Sequence, residues 1–128
     1  MSEKSVAEKL FLKEGQRFLL LNAPPGYLDR IGELPPNLQL VSQAGPPPAD
    51  VIQLFATSLT DLKGGLPELV GLMGQKSKLW VTYPKGSSGV ESDLNRDCIR
   101  AYALSLRLQS LAMIAVDETW SALRLKLA

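Results

Sequence analysis

Apolar residues along this chain fall into short dense runs separated by turn-forming segments. Arg17-Phe18-Leu19-Leu20-Leu21-Asn22 is almost continuously hydrophobic rather than alternating. Such a run predicts a strand covered on both faces, the habit of parallel sheets. Leu38 to Val41, Asp50 to Ala56 and Lys78 to Tyr83 supply three further strands. Leu111 to Val116 is a fifth. Trp120 to Leu127 alternates large apolar with small or charged residues, which predicts an edge-type strand paired with the fifth across the Asp117-Glu118-Thr119 turn.

Between these runs the period changes. Ser5-Val6-Ala7-Glu8 fits a capping box and opens a short helix to about Leu10. Tyr27 to Ile31 reads as a second short helix, stopped by Gly32. Leu62, Leu66, Leu69, Val70 and Met73 share one helical face, with Gly74 as the C-cap, and Pro67 would suit the start of a second piece. Ser92 or Asp93 is the expected cap of a helix to about Leu106. Gly45-Pro46-Pro47-Pro48 reads as a rigid loop, because its prolines lack amide donors. Alternating strands and helices predict an α/β fold: a three-layer Rossmann-like sandwich on a mostly parallel sheet of about six strands, ending in an antiparallel hairpin. The strands at Arg17, Asp50 and Lys78 are expected to be central.

Composition narrows the function. A chain of 128 residues and 13.9 kDa is expected to form a single domain, residues 1–128. Fourteen Lys and Arg against thirteen Asp and Glu leave a net charge of +1, which gives no general reason to meet nucleic acid or a membrane. The absence of His removes the commonest general base and the commonest transition-metal ligand. The single Cys98 cannot form an internal disulfide, and its apolar neighbours suggest a small buried filler. The longest apolar run, Leu111 to Val116, is far short of the ~20 residues that span a bilayer. A cytoplasmic protein is the expectation.

Ligands of open α/β sheets bind beyond the carboxyl ends of the strands. Three loops belong there: Asn22 to Tyr27, Ala56 to Ser58, and Tyr83 to Glu91. The last offers Lys85, the hydroxyls of Ser87 and Ser88, and a following helix N-terminus, the parts of an anion site. Asp93, Asn95, Arg96 and Asp97 crowd that helix start, and Arg96 could pair with Asp93 or Asp117, or meet a ligand. Asp117 and Trp120 flank the hairpin turn, where Asp can bond the turn backbone and Trp can pack on the sheet. The candidate ligand residues are therefore Asn22, Gly26, Lys85, Ser87, Ser88, Asp93, Asn95, Arg96, Asp117 and Trp120, with the ligand expected across the Gly26 and Lys85 loops. No residue is singled out for catalysis or for a metal.

A parallel sheet ending in an antiparallel hairpin resembles the core of the S-adenosylmethionine-dependent methyltransferases. The resemblance implies a cofactor over the loop after the first strand. Asn22-Ala23-Pro24-Pro25-Gly26-Tyr27 stands there, with Gly26 alone of the expected glycines. It also implies an acidic residue after the second strand for the ribose hydroxyls, where this chain has Val41-Ser42-Gln43. The helical connection that the family places next is replaced by the proline loop. Nearly the whole chain also resembles a bacterial domain-of-unknown-function family, number three thousand and fifty-two. That resemblance is carried by Lys4 to Leu10, Asn22 to Tyr27, Tyr83 to Ser87, Asp93 to Asp97 and Asp117 to Arg124. It implies a Rossmann-like fold and no activity.

Three readings stand at this point. The first is a small non-catalytic Rossmann-like module that binds a protein partner or a small anionic ligand. The second is an enzyme with a nucleotide-like cofactor, methyltransferase-like. The third is a structural protein that self-associates through its edge strands.

Overall fold

The computed structural model describes residues 5–41, 49–86 and 88–128. The predicted capping box opens α1 (Val6–Lys9): Glu8 N donates to Ser5 Oγ at 3.2 Å, and Ser5 N donates to the Glu8 carboxylate at 3.0 Å. The chain then alternates β1 (Arg17–Leu21), α2 (Tyr27–Arg30), β2 (Gln39–Val41), β3 (Ala49–Phe55), α3 (Leu59–Val70), β4 (Met73–Pro84), α4 (Arg96–Ser105), β5 (Leu108–Ala115) and β6 (Trp120–Leu127). The Gly45 to Pro48 loop lies outside the described residues.

One six-stranded sheet runs in the order β2-β1-β3-β4-β6-β5. The first four strands are mutually parallel, and β6 is antiparallel to both β4 and β5. As the continuous apolar runs predict, β1, β3 and β4 are interior. Alternate residues of each go to opposite faces. Leu19, Ile52, Leu54, Leu79 and Val81 pack beneath α3 and α4, against Leu62, Leu66, Ile99 and Ala103. Phe18, Leu20, Val51, Phe55 and Trp80 pack on the other face, against Ala7 and Leu10 near α1 and Tyr27 and Ile31 near α2. The sheet therefore has one thick helical cover and one thin one.

Several expectations need correction. β6 is not an edge strand: it is inserted between β4 and β5, and the edge is β5. The small and charged positions that suggested an edge, Ala122 and Arg124, lie on the thinly covered face, where there is less helix to pack against. β5 begins at Leu108 rather than Leu111, and the register shift between Ser110 and Ala112 breaks its period at Leu111. β4 begins at Met73, so Gly74 is in a strand and the C-cap of α3 is Gly71. α3 is one helix through Pro67, not two. Gly65 lets it sit close to the sheet, since a Cβ there would stand 3.3 Å from Leu54 Cδ1. The cap of α4 is Asn95, not Ser92 or Asp93: Cys98 N donates to Asn95 Oδ1 at 2.9 Å. Cys98 itself is half-buried rather than a core filler, and Asn95 N donates to its sulfur at 3.3 Å.

Among the described residues, no helix is long and apolar enough to cross a membrane. Leu20 contributes to the thin layer and is 9% exposed. Leu20→Ala should lower unfolding free energy by about 2–5 kcal/mol, through lost burial and a residual cavity, as read in urea melts.

Candidate functional site

At the carboxyl ends of β1 and β3 the backbone opens a cleft of about 380 Å³, lined by Asn22, Pro24, Phe55, Thr57, Asp61 and Trp120. Asn22 takes a left-handed conformation (φ +61°), which Asn tolerates better than most residues, and it turns the chain out of β1. Gly26, also at positive φ (+78°), directs the chain into α2. Across the cleft, Ser58 Oγ accepts from Asp61 N at 3.0 Å and caps α3. Asp61 Oδ2 in turn accepts from Thr57 N at 3.3 Å and from Thr57 Oγ1 at 3.1 Å. Its other oxygen, Oδ1, has no hydrogen-bond partner among the described residues.

The aromatic wall is a chain of edge-on rings. Trp120 meets Phe55 at 5.1 Å between centroids, and Phe55 meets Tyr27 at 4.8 Å. Beneath it runs a buried polar relay. Tyr27 OH donates to Gln53 Oε1 at 2.8 Å, and Gln53 Nε2 donates to Thr82 Oγ1 at 3.0 Å. Burial raises the Tyr27 phenol above its ordinary range; the Gln53 contact opposes this, nearby Asp117 adds to it, and Arg30 works against it.

The sequence-predicted residues distribute unevenly about this cleft. Asn22 and Trp120 line it. Asp93 braces it from behind, because its Oδ1 accepts from Leu59 N at 2.8 Å and so serves the start of α3 rather than that of α4. Asp117 performs hairpin chemistry: its Oδ1 accepts from Thr119 N at 2.8 Å and Trp120 N at 2.9 Å, while Oδ2 lies 3.8 Å from the Arg30 guanidinium. Arg96 therefore pairs with neither Asp93 nor Asp117, both otherwise engaged, and sits 3.8 Å from Asp97. Lys85 N donates to Thr119 O at 2.8 Å, which ties its loop to the hairpin turn. Ser88 Oγ accepts from Val90 N at 3.1 Å. Lys85, Ser88 and Asn95 are absent from the cleft lining, and Ser87 lies outside the described residues.

Phe55, Thr57, Asp61 and the relay through Gln53 were not singled out from the sequence. The Ser58-x-x-Asp61 spacing directly after a strand carries the capping signal that could have located them. Among the described residues, no group of three or more His, Cys, Asp or Glu could hold a metal ion.

No family model and no curated protein matches this chain. The resemblance to the numbered domain family therefore rests on the quoted segments alone. Solved structures do match. An S-adenosylmethionine-dependent methyltransferase from Aquifex aeolicus is 14% identical, with a TM-score of 0.66 over 96% of this chain and 88% of that one. A TehB-like S-adenosylmethionine-dependent methyltransferase from Corynebacterium glutamicum is 10% identical, with a TM-score of 0.60 over 94% and 85%. An O-methyltransferase of neocarzinostatin biosynthesis, solved with S-adenosylmethionine and a naphthoic acid, is 11% identical, with a TM-score of 0.63 over 89% and 49%. The chain thus has the Rossmann-like fold of these methyltransferases.

Tyr27→Phe removes the donor to a buried amide oxygen and should cost about 1–3 kcal/mol at neutral pH. The same variant tests the phenol's shift. Above pH ~10 the unfolded phenol ionises while the folded one stays neutral, so wild-type stability falls as pH rises through that window. Denaturant melts from pH 8 to 11 should show a shallower fall in Tyr27→Phe.

Proposed function

We propose that this chain is a methyltransferase-like module whose cleft between Asn22, Thr57, Asp61 and Trp120 takes an S-adenosyl compound. The observation that carries this reading is the make-up of the cleft wall: among the described residues it has one carboxylate with a spare oxygen, two aromatic edges and no cation. Such a wall suits a ligand with a planar base and hydroxyl or cationic groups, and it disfavours a polyanion. The likeness of the fold to the methyltransferases supports the same choice. The expected small anionic ligand across the Gly26 and Lys85 loops has less in its favour, because Lys85 is not part of this wall.

Asp61 Oδ1 is the acceptor best suited to a hydroxyl or ammonium group, and Trp120 with Phe55 offers the apolar side. When bound, S-adenosylmethionine supplies an electrophilic methyl group. What this chain adds is positioning, since it has no His to act as a base near neutral pH. The missing acid after Val41 should weaken binding. A lost charge-assisted contact of about 1.5–3 kcal/mol corresponds to one to two decades of affinity. Calorimetry with S-adenosylmethionine and S-adenosylhomocysteine should give dissociation constants that are micromolar or weaker, and Asp61→Asn should raise them about tenfold. No heat at millimolar ligand would return the leading place to the partner-binding module.

A second reading, self-association, rests on β5, whose free edge carries Leu111 and Met113 at 42% and 47% exposure. Sedimentation equilibrium should then show a dimer that Met113→Lys dissociates.

A further inference from the structure

At the opposite end of the sheet from the cleft, the thinly covered face gathers like charges. Trp80 pairs with Arg124 across β4 and β6, and Leu79 with Leu125. Lys78 and Lys126 are the next residues beyond Leu79 and Leu125, the last pair of this ladder. Side chains two apart on a strand share a face, so Lys78, Arg124 and Lys126 form a cluster on the side where α1 lies. Lys13, just beyond α1, reaches the electrostatic neighbourhood of Lys78.

Among the described residues no carboxylate forms an ion pair with this cluster, and Asp50 is the one acid that acts on Lys78. The ion pairs among the described residues are Arg30 with Asp117 and Arg96 with Asp97, both elsewhere. The Arg124 guanidinium stands 5.5 Å over the Phe11 ring, and its Nε is buried without a hydrogen-bond partner. Burial, then Arg124 and Lys13, hold the Lys78 ammonium below the ordinary lysine range, while Asp50 acts in the opposite direction. Like charges gathered on neighbouring positions of adjacent strands repel one another. In a chain whose total charge is only +1, such crowding is a local feature that an anion would relieve.

We propose that Lys78, Arg124, Lys126 and Lys13 form a binding site for a small soluble polyphosphate anion. The footprint sets the size. Two residues along a strand span about 7 Å, and adjacent strands lie about 5 Å apart. That area matches two or three linked phosphate groups and is too small for a run of duplex nucleic acid, which a net charge of +1 would not attract at long range. Arg124, its guanidinium carbon held 5.5 Å over the Phe11 ring, supplies a planar group whose terminal nitrogens are the donors, and the lysines supply point charges.

Inorganic tripolyphosphate is the probe, at low ionic strength. It should raise the melting temperature of the wild-type protein and bind in calorimetry. The Lys78→Gln/Lys126→Gln double variant should bind at least tenfold more weakly. Its ligand-free melting temperature should equal or exceed that of wild type, because repulsion has been removed, so loss of binding will not reflect loss of fold. Lys85→Gln, altered at the other end of the sheet, should bind like wild type. An unchanged melting temperature at millimolar tripolyphosphate, or equal binding by the double variant, would overturn the site. So would loss of binding in Lys85→Gln. Binding to vesicles of phosphatidylcholine with phosphatidylinositol bisphosphate, without binding to tripolyphosphate, would overturn the assignment to a soluble anion.

Discussion

The constraint on which much of this molecule depends is the buried amide of Gln53. It stands in an interior strand, fully screened from water. A polar group in that position must be satisfied on both sides or the core loses stability. Tyr27 from the loop side and Thr82 from the neighbouring strand satisfy it. Those two bonds fix more than their own atoms. They pull α2 down onto the sheet, set the Tyr27 ring against Phe55, and so present Phe55 to Trp120. The aromatic wall of the cleft thus depends on one hydrogen-bond requirement at a position in register with Leu20, one residue from the end of β1.

Charge is segregated along the same sheet. Asp61 stands at the carboxyl ends of the parallel strands, and Asp117 lies beside them with its charge partly answered by Arg30. The Lys78 and Arg124 group stands at the other end. A net charge of +1 says nothing of such local grouping.

How much of this was legible follows residue by residue. The interior strands were, because Phe18 to Leu21 and, apart from Gln53, Val51 to Phe55 are apolar without alternation, as double cover requires. The Asp117 turn and the Ser5 box were also readable, since their chemistry is local. The start of β4 was not. Gly74 to Lys76 are partly or fully exposed, so nothing apolar marks them. The bulge at Leu111 broke the period of β5, and Ala122 and Arg124 imitated an edge. In the cleft, Phe55, Thr57 and Asp61 are near neighbours in sequence, but Trp120 reaches them only through the pairing of β6 with β4. For Arg96, the two carboxylates that could have paired with it are engaged by backbone amides, which no spacing rule reveals.

The insertion of β6 between β4 and β5 bears on how the protein is made. β6 follows every other strand in the chain, yet it lies inside the sheet and buries Ala122, Leu123 and Leu125. Until it emerges from the ribosome, β4 has an open flank and β5 has no strand to pair with. The strands β1 to β4 can pair before β6 is present, whereas β5 joins the sheet only through β6. In that interval the flank of β4 is an unpaired strand edge of the kind that invites pairing with other chains.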